Sequence, residues 1–457
     1  MDFRTRRRPL RRPFWLVALL GLAPLPGVAQ EVPFERFQLE NGLTVIFHED
    51  HTLPLVAVNL WYYVGAKDEP PGRSGFAHLF EHLMFMGTKK YPEGEFDRIT
   101  EEVGGSNNAT TSADRTNYFE SGPRELLEPF LELEADRMAS LADAMTLEKL
   151  NNQRGIVRNE RRQRFDNQPY GAVGLEIPKR MYPPGHPYHE PVIGSHEEIE
   201  AATVDDVRGF FDTFYFPRNA SLVVAGDFDP KEARALVDKH FAALPARPAL
   251  ERNHPPVPSI PKEGRGPVRV TLEDQIQLPL SIMVWHSPPL YKSGDAEMDI
   301  VAGALSDGKA SRLYRSLVYE KKLAQDVRAY QMSLYLGSQF RIYAYARPGV
   351  SLDELEKAVD EEVRKLRDKG PTQREIDRAR NKFERYYWGA VQGLNERADI
   401  LNQYQFHYGD PGAISKDLAR YSTLTGSGVR DWAQKILRDE DRLLLRVVPK
   451  APPATQE

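Results

Sequence analysis

The 457 residues contain no cysteine, which excludes disulfides, cysteine-ligated zinc, iron–sulfur clusters and thiol nucleophiles. An excess of positive charge is missing too. The formal net charge is −5, and it falls to −10 without the first 29 residues, which hold six Arg and one Asp. So acidic a body argues against nucleic-acid binding, which relies on basic patches. Past that N-terminal stretch no apolar run reaches 18 residues, so no membrane span is expected in the mature chain. Phosphate-cradling P-loops and glycine-rich dinucleotide fingerprints are likewise absent. What is present is a globular composition, 41% hydrophobic and 28% charged, which excludes a disordered or collagen-like chain. At about 150 residues per domain, the length predicts two to three domains.

Six arginines between Arg4 and Arg12 precede an uncharged stretch from Phe14 to Leu25 and then Pro26-Gly27-Val28-Ala29. A basic region, a short apolar region and small residues at a cleavage point read as a signal peptide over residues 1–29, cut near Ala29. The expectation is a periplasmic or otherwise secreted protein, an oxidising setting in which a cysteine-free chain avoids unwanted disulfides.

The body reads as an internal duplication. Leu53-Pro54-Leu55 and Leu278-Pro279-Leu280 open similar alternating runs at an offset of 225, while Thr203, Val207, Arg208 and Leu222 match Thr425, Val429, Arg430 and Leu444 at an offset of 222. Between the halves, residues 245–267 hold seven prolines, too many for a helix or a central strand, and predict an extended linker. The expected organisation is an N-terminal domain over 30–244, the linker, a homologous domain over 268–450, and a disordered tail over 451–457. Asn41-Gly42 between two short apolar runs predicts a type I′ hairpin. Antiparallel hairpins with segregated helices give an α+β fold class, each domain an antiparallel sheet with helices packed on it.

One segment carries chemistry: His78-Leu79-Phe80-Glu81-His82. On a helix, positions i and i+4 share a face, so both imidazoles can converge on one ion with Glu81 beside them. About 0.02 such patterns are expected by chance in a chain of this length. A catalytic zinc needs a third protein ligand, and Glu160 in the helical stretch 153–163 is a candidate. Flanked by Arg158, Arg161 and Arg162, Glu160 reads equally as part of a surface ion-pair network. His186, His189 and His196 fall in a Pro/Gly-rich segment and read as loop residues.

With Asn41-Gly42-Leu43-Thr44-Val45, His78–His82, Gly105-Ser106-Asn107-Asn108-Ala109-Thr110-Thr111, 157–163 and Ser311-Arg312-Leu313-Tyr314 taken together, the chain resembles the pitrilysin-like family of inverted-zincin metallopeptidases. That family includes insulin-degrading enzyme and the mitochondrial processing peptidase, and the resemblance spans nearly the whole mature chain. It implies a zinc metalloendopeptidase with one Zn2+ held by His78, His82 and Glu160, and with Glu81 as general base. It implies that peptide substrates add as a strand along Asn107, Asn108, Ala109 and Thr110. The family usually has a second Glu seven residues before the third ligand; here Gln153 stands there. The family's substrate-gripping Arg and Tyr of the second domain are also replaced, by Val318 and Gln325. Their absence implies a metal-free homologous subunit that supplies them in a heterodimer, with a homodimer as the competing arrangement. Two other readings fit the same residues: a family member that binds peptides without cutting them, and a mitochondrial presequence-processing subunit.

Overall fold

The computed structural model describes residues 32–252, 255–256 and 267–450. The signal peptide, most of the second part of the linker and the C-terminal tail expected from the sequence lie outside the described residues. The first half runs β1 (Glu35–Gln38), β2 (Thr44–Glu49), β3 (Leu55–Tyr62), α1 (Phe76–Leu83), α2 (Glu95–Glu101), β4 (Ser106–Thr111), β5 (Thr116–Pro123), α3 (Leu127–Ser140), α4 (Leu147–Arg161), α5 (Ala172–Met181), α6 (His196–Ala201), α7 (Val204–Phe214), β6 (Ala220–Gly226) and α8 (Pro230–Phe241). The second half runs β7 (Val268–Asp274), β8 (Leu280–Ser287), α9 (Asp295–Ser306), β9 (Ala324–Met332), β10 (Ser338–Ala346), α10 (Leu352–Lys369), α11 (Gln373–Ala390), α12 (Leu394–Tyr408), α13 (Ile414–Ser422), α14 (Gly426–Ile436) and β11 (Leu443–Pro449).

The two sheets repeat one topology. The first is ordered β1-β2-β6-β3-β5-β4 and the second β7-β11-β8-β10-β9. In each, one pair is parallel, β2 with β6 and β7 with β11, and the rest are antiparallel. The fold is therefore α+β with two homologous sheet-and-helix domains. Residues 245–252 and 255–256 form neither helix nor strand, because proline withholds the backbone donor that either ladder requires.

Each half lends a helix to the other. Ala398 and Leu401 of α12 pack on Ile46, Ala57, Val223 and Ala225 of the first sheet. Val173, Ile177 and Met181 of α5 pack on Leu280, Ile282, Val284, Leu443, Leu445 and Val447 of the second. The exchange explains why β3 is buried at seven of its eight positions: a strand covered on both faces loses the polar alternation of a half-exposed one.

Two expectations need correction. The β1–β2 hairpin forms, but only Gly42 has positive φ, at 93°, so the turn is not the type I′ pair, which requires positive φ at two consecutive residues. Asn41 instead uses its side chain, accepting from Leu43 N and donating to Phe241 O at 2.7 Å. Second, the offset of 225 aligns β3 with β8 but fails in the helix that follows. That connection has thirteen residues (63–75) in the first half and seven (288–294) in the second. Gly75 and Gly294, both left-handed, start α1 and α9, so His78–His82 lie opposite 297–301 and not 303–307. A glutamate, Glu297, occurs in that stretch, but α9 contains no histidine.

Candidate metal centre and peptide-binding edge

Helix α1 is apolar on the side that meets the first sheet: Phe76, Ala77, Leu79, Phe80 and Leu83 all belong to its core. That anchoring leaves the i, i+4 pair His78 and His82 on the opposite side, facing α4. The start of α1 is tightly fixed. Gly75 has φ 85°, its amide and that of Ala77 donate to Glu69 at 3.0 and 2.9 Å, and a Cβ there would sit 2.8 Å from Ile193 O. Gly75→Ala should therefore cost about 1–3 kcal/mol of stability, read as a lower urea midpoint; an unchanged midpoint would show that α1 can shift without strain.

His78, His82 and Glu160 are the one group among the described residues able to hold a metal ion. Glu160 Oε2 lies 3.5 Å from His78 Nε2 and 3.3 Å from His82 Nε2. Ligand atoms about 2.0–2.1 Å from one tetrahedral zinc stand about 3.3–3.4 Å apart, so these separations fit a single ion. Glu160 Oε2 is also buried without a hydrogen-bond partner, while its other oxygen pairs with Arg164 Nη1 at 2.6 Å. A buried carboxylate oxygen so aimed is costly unless a cation meets it. Burial, reinforced by the charge of His82, lowers the His78 pKa to about 4, so its imidazole is neutral and free to ligate at pH 7. Two imidazole nitrogens and one carboxylate oxygen, with a fourth position open, suit a catalytic zinc.

Glu81 shares α1 with the histidines. Burial raises its pKa, with a contribution from the charge of Glu160, against the opposing effects of Thr111 and His82. Gln153 occupies the buried face of α4, where its amide donates to Met86 Sδ. No hydrogen bond joins it to either histidine, and His78 Nδ1 has no partner. His186, His189 and His196 stand apart from the metal group; His196 opens α6, not a loop, and bonds Asp166 at 3.0 Å.

Strand β4 is the free edge of the first sheet. Ser112 N donates to Arg115 O, which makes Thr110 and Asn108 bond β5 and directs the main chain of Asn107, Ala109 and Thr111 outward. Ala109 N is covered by Asn108 Oδ1 at 2.8 Å, a bond that any incoming strand replaces. The side chains of Ala109 and Thr111 lie on the α1 side, Thr111 Oγ1 being 3.4 Å from Ala77 O, and those of Asn108 and Thr110 on the reverse. Asn107 bonds Asp97 at 3.1 Å. Thr111, part of the motif read from the sequence, lies beside Glu81, and the period of two along β4 places it with Ala109. In the second half Val318 is buried in the core and Gln325 is exposed on β9, and Arg315 and Arg328 pair with Glu320 and Asp326.

Comparison with known proteins identifies the family. The family described as insulinase (peptidase family M16) matches residues 44–184, and the peptidase M16 inactive domain matches residues 201–383. The zinc protease PqqE of Helicobacter pylori is 31% identical over 374 residues, covering 81% of this chain and 80% of that protein. The crystal structure of a protease from Helicobacter pylori superposes with a TM-score of 0.82 at 28% identity, covering 92% of this chain and 100% of that one. The first half of the periplasmic protease PqqL from Escherichia coli shares the fold, with a TM-score of 0.74 at 20% identity over 93% of each chain. With a relative of that identity and coverage, and with both halves matched, the chain belongs to the insulinase-type, or pitrilysin-like, family of zinc peptidases.

Proposed function

We propose that this chain is a secreted zinc metalloendopeptidase acting on peptides or unfolded polypeptides, and the zinc-carrying subunit of a heterodimer. The observation that carries the reading is the spacing of His78, His82 and Glu160, with Glu81 on the same helix. A zinc ion held by those three residues supplies Lewis acidity towards a peptide carbonyl and towards water. The main-chain groups of Asn107, Ala109 and Thr111 on β4 hold the substrate as an added strand. Glu81 takes the proton from the attacking water and delivers it to the leaving amine, a role that its raised pKa suits. The amide of Gln153 adds no negative charge near the ligands, whereas the Arg164–Glu160 pair draws charge from one of them; both favour a weaker metal site. Secretion rests on the leader over residues 1–29, and no helix among the described residues is long and apolar enough to cross a membrane.

The partner follows from Val318 and Gln325, neither of which can donate a guanidinium or phenol to a substrate. The same gap is what favours the second reading, a chain that holds peptides without cutting them. Zinc analysis and hydrolysis of a fluorogenic peptide library by the purified mature chain separate these. About one zinc per chain, with turnover that a chelator abolishes, is the expected result if the chain suffices, and it would remove the need for a partner. Silence with zinc bound, relieved by adding a metal-free homologue, supports the heterodimer. A chain that binds no zinc refutes the peptidase reading.

A further inference from the structure

The face of the first sheet turned away from α1 carries a cavity of about 470 Å³ between the sheet and helices α9 and α11–α13. Thr110 of the edge strand lines it, and the link onward is short. Thr110 Oγ1 bonds Asn117 Oδ1 at 2.6 Å, and Asn117 Nδ2 reaches Asp399 Oδ1 at 3.4 Å. Asp399 Oδ1 also accepts from Trp61 Nε1 at 2.9 Å and Asn59 Nδ2 at 3.4 Å, whereas no hydrogen bond reaches Oδ2. Five carboxylates line the cavity, those of Asp295, Asp299, Glu396, Asp399 and Asp417, against two guanidiniums. Arg420 is occupied by Asp295 and Asp417 at 2.8 and 2.7 Å. Arg115 is occupied by Thr110 O and Asn117 Oδ1. Aromatic rings complete the wall. Tyr386 is 75% exposed, and Tyr387, only 5% exposed, has a buried hydroxyl with no partner.

The repeat shows how unusual this lining is. With Gly75 aligned to Gly294, the core phenyl groups Phe76 and Phe80 of α1 correspond to Asp295 and Asp299 of α9. Putting carboxylates where the homologous helix has core aromatics costs stability unless a cation compensates. Arg420 meets Asp295, and Asp299 accepts from the Tyr421 hydroxyl at 2.6 Å; burial, then the charge of Asp295, pushes the Asp299 carboxyl up to about 7.

We propose that this cavity is a specificity subsite that receives a lysine or arginine side chain of a peptide paired along β4. A strand added about 4.8 Å beyond β4 sends alternate side chains to the α1 face and to the reverse face, where Thr110 opens onto the cavity. A cation on a long apolar stem fits walls of tyrosine and carboxylate. The inference rests on the strand-addition part of the proposed function and not on hydrolysis itself.

The test uses N-acetylated peptides that differ only in lysine or norleucine at one position, scanned along the chain. Binding is read by fluorescence anisotropy with the full-length Glu81→Gln variant, and turnover with the wild type. Lysine should be favoured about tenfold at positions of one parity. Asp399→Asn, isosteric and able to keep its three accepted bonds, should reduce that ratio to about twofold or less, through KM more than kcat. Tyr386→Ala, at an exposed site, should reduce it as well. Equal binding of lysine and norleucine at every position, or full discrimination in both variants, would overturn the subsite. Lysine-selective binding without any wild-type turnover, whether or not a metal-free homologue is added, would keep the subsite and refute the peptidase reading.

Discussion

Glu81→Gln is expected to lower kcat by about 10²- to 10⁴-fold while leaving about one zinc per chain. The amide has the shape of the carboxylate and preserves the helix, and the proposed ligands His78, His82 and Glu160 are untouched. What is lost is the capacity to accept a proton. In the wild type that capacity is tuned by position: burial raises the Glu81 pKa and the negative Glu160 adds to the effect, so the carboxylate is a stronger base than one in water. The loss should fall on kcat, because the main-chain pairing proposed along β4 does not involve Glu81. Zinc content and circular dichroism of the purified variant establish that the site and the fold survive. Unimpaired turnover in a zinc-loaded variant would exclude Glu81 as the base.

Much of this site was legible in the sequence because the signals were local. The i, i+4 histidines need only a helix, and the apolar residues around them, Leu79, Phe80 and Leu83, specify which side is buried. Glu160 is a harder case. In the structure one oxygen pairs with Arg164, not with the three flanking arginines read from the sequence, and the other faces the histidines. No local pattern shows that division; it depends on α4 lying against α1. The repeat was visible where strands aligned and lost where loop length changed, so the offset of 225 misses the register of α9 by six residues. The exchange of α5 and α12 was not legible at all. An amphipathic helix shows that it must bury a face, not which of two similar sheets it buries that face against.

The core beneath the metal helix carries the largest stability effect. Arg137 of α3, 2% exposed, pairs with Glu120 Oε1 of β5 at 2.9 Å and is held by Glu134, which is 0% exposed. Its guanidinium also lies 4.6 Å from the Tyr118 ring centre and 5.5 Å from that of Phe85. Arg137→Met keeps much of the apolar contact but leaves two buried carboxylates without their cation, and the expected loss is about 3–5 kcal/mol in urea denaturation at pH 7. Burial, with the charge of Glu134, already holds the Glu120 pKa well above its ordinary value. A carboxyl whose pKa is higher in the folded than in the unfolded chain favours folding at low pH, and that contribution is lost as pH rises through the folded pKa. Removing Arg137 takes away the cation that opposes this rise at Glu120, so the deficit of the variant should shrink as pH is lowered towards the ordinary carboxylate range and grow above neutrality. Adding Glu120→Gln and Glu134→Gln to Arg137→Met should recover part of the loss and flatten this pH dependence, because no buried charge then remains to titrate. A deficit that is the same at every pH would place the cost of Arg137→Met in packing against Tyr118 and Phe85 and not in the charge triad.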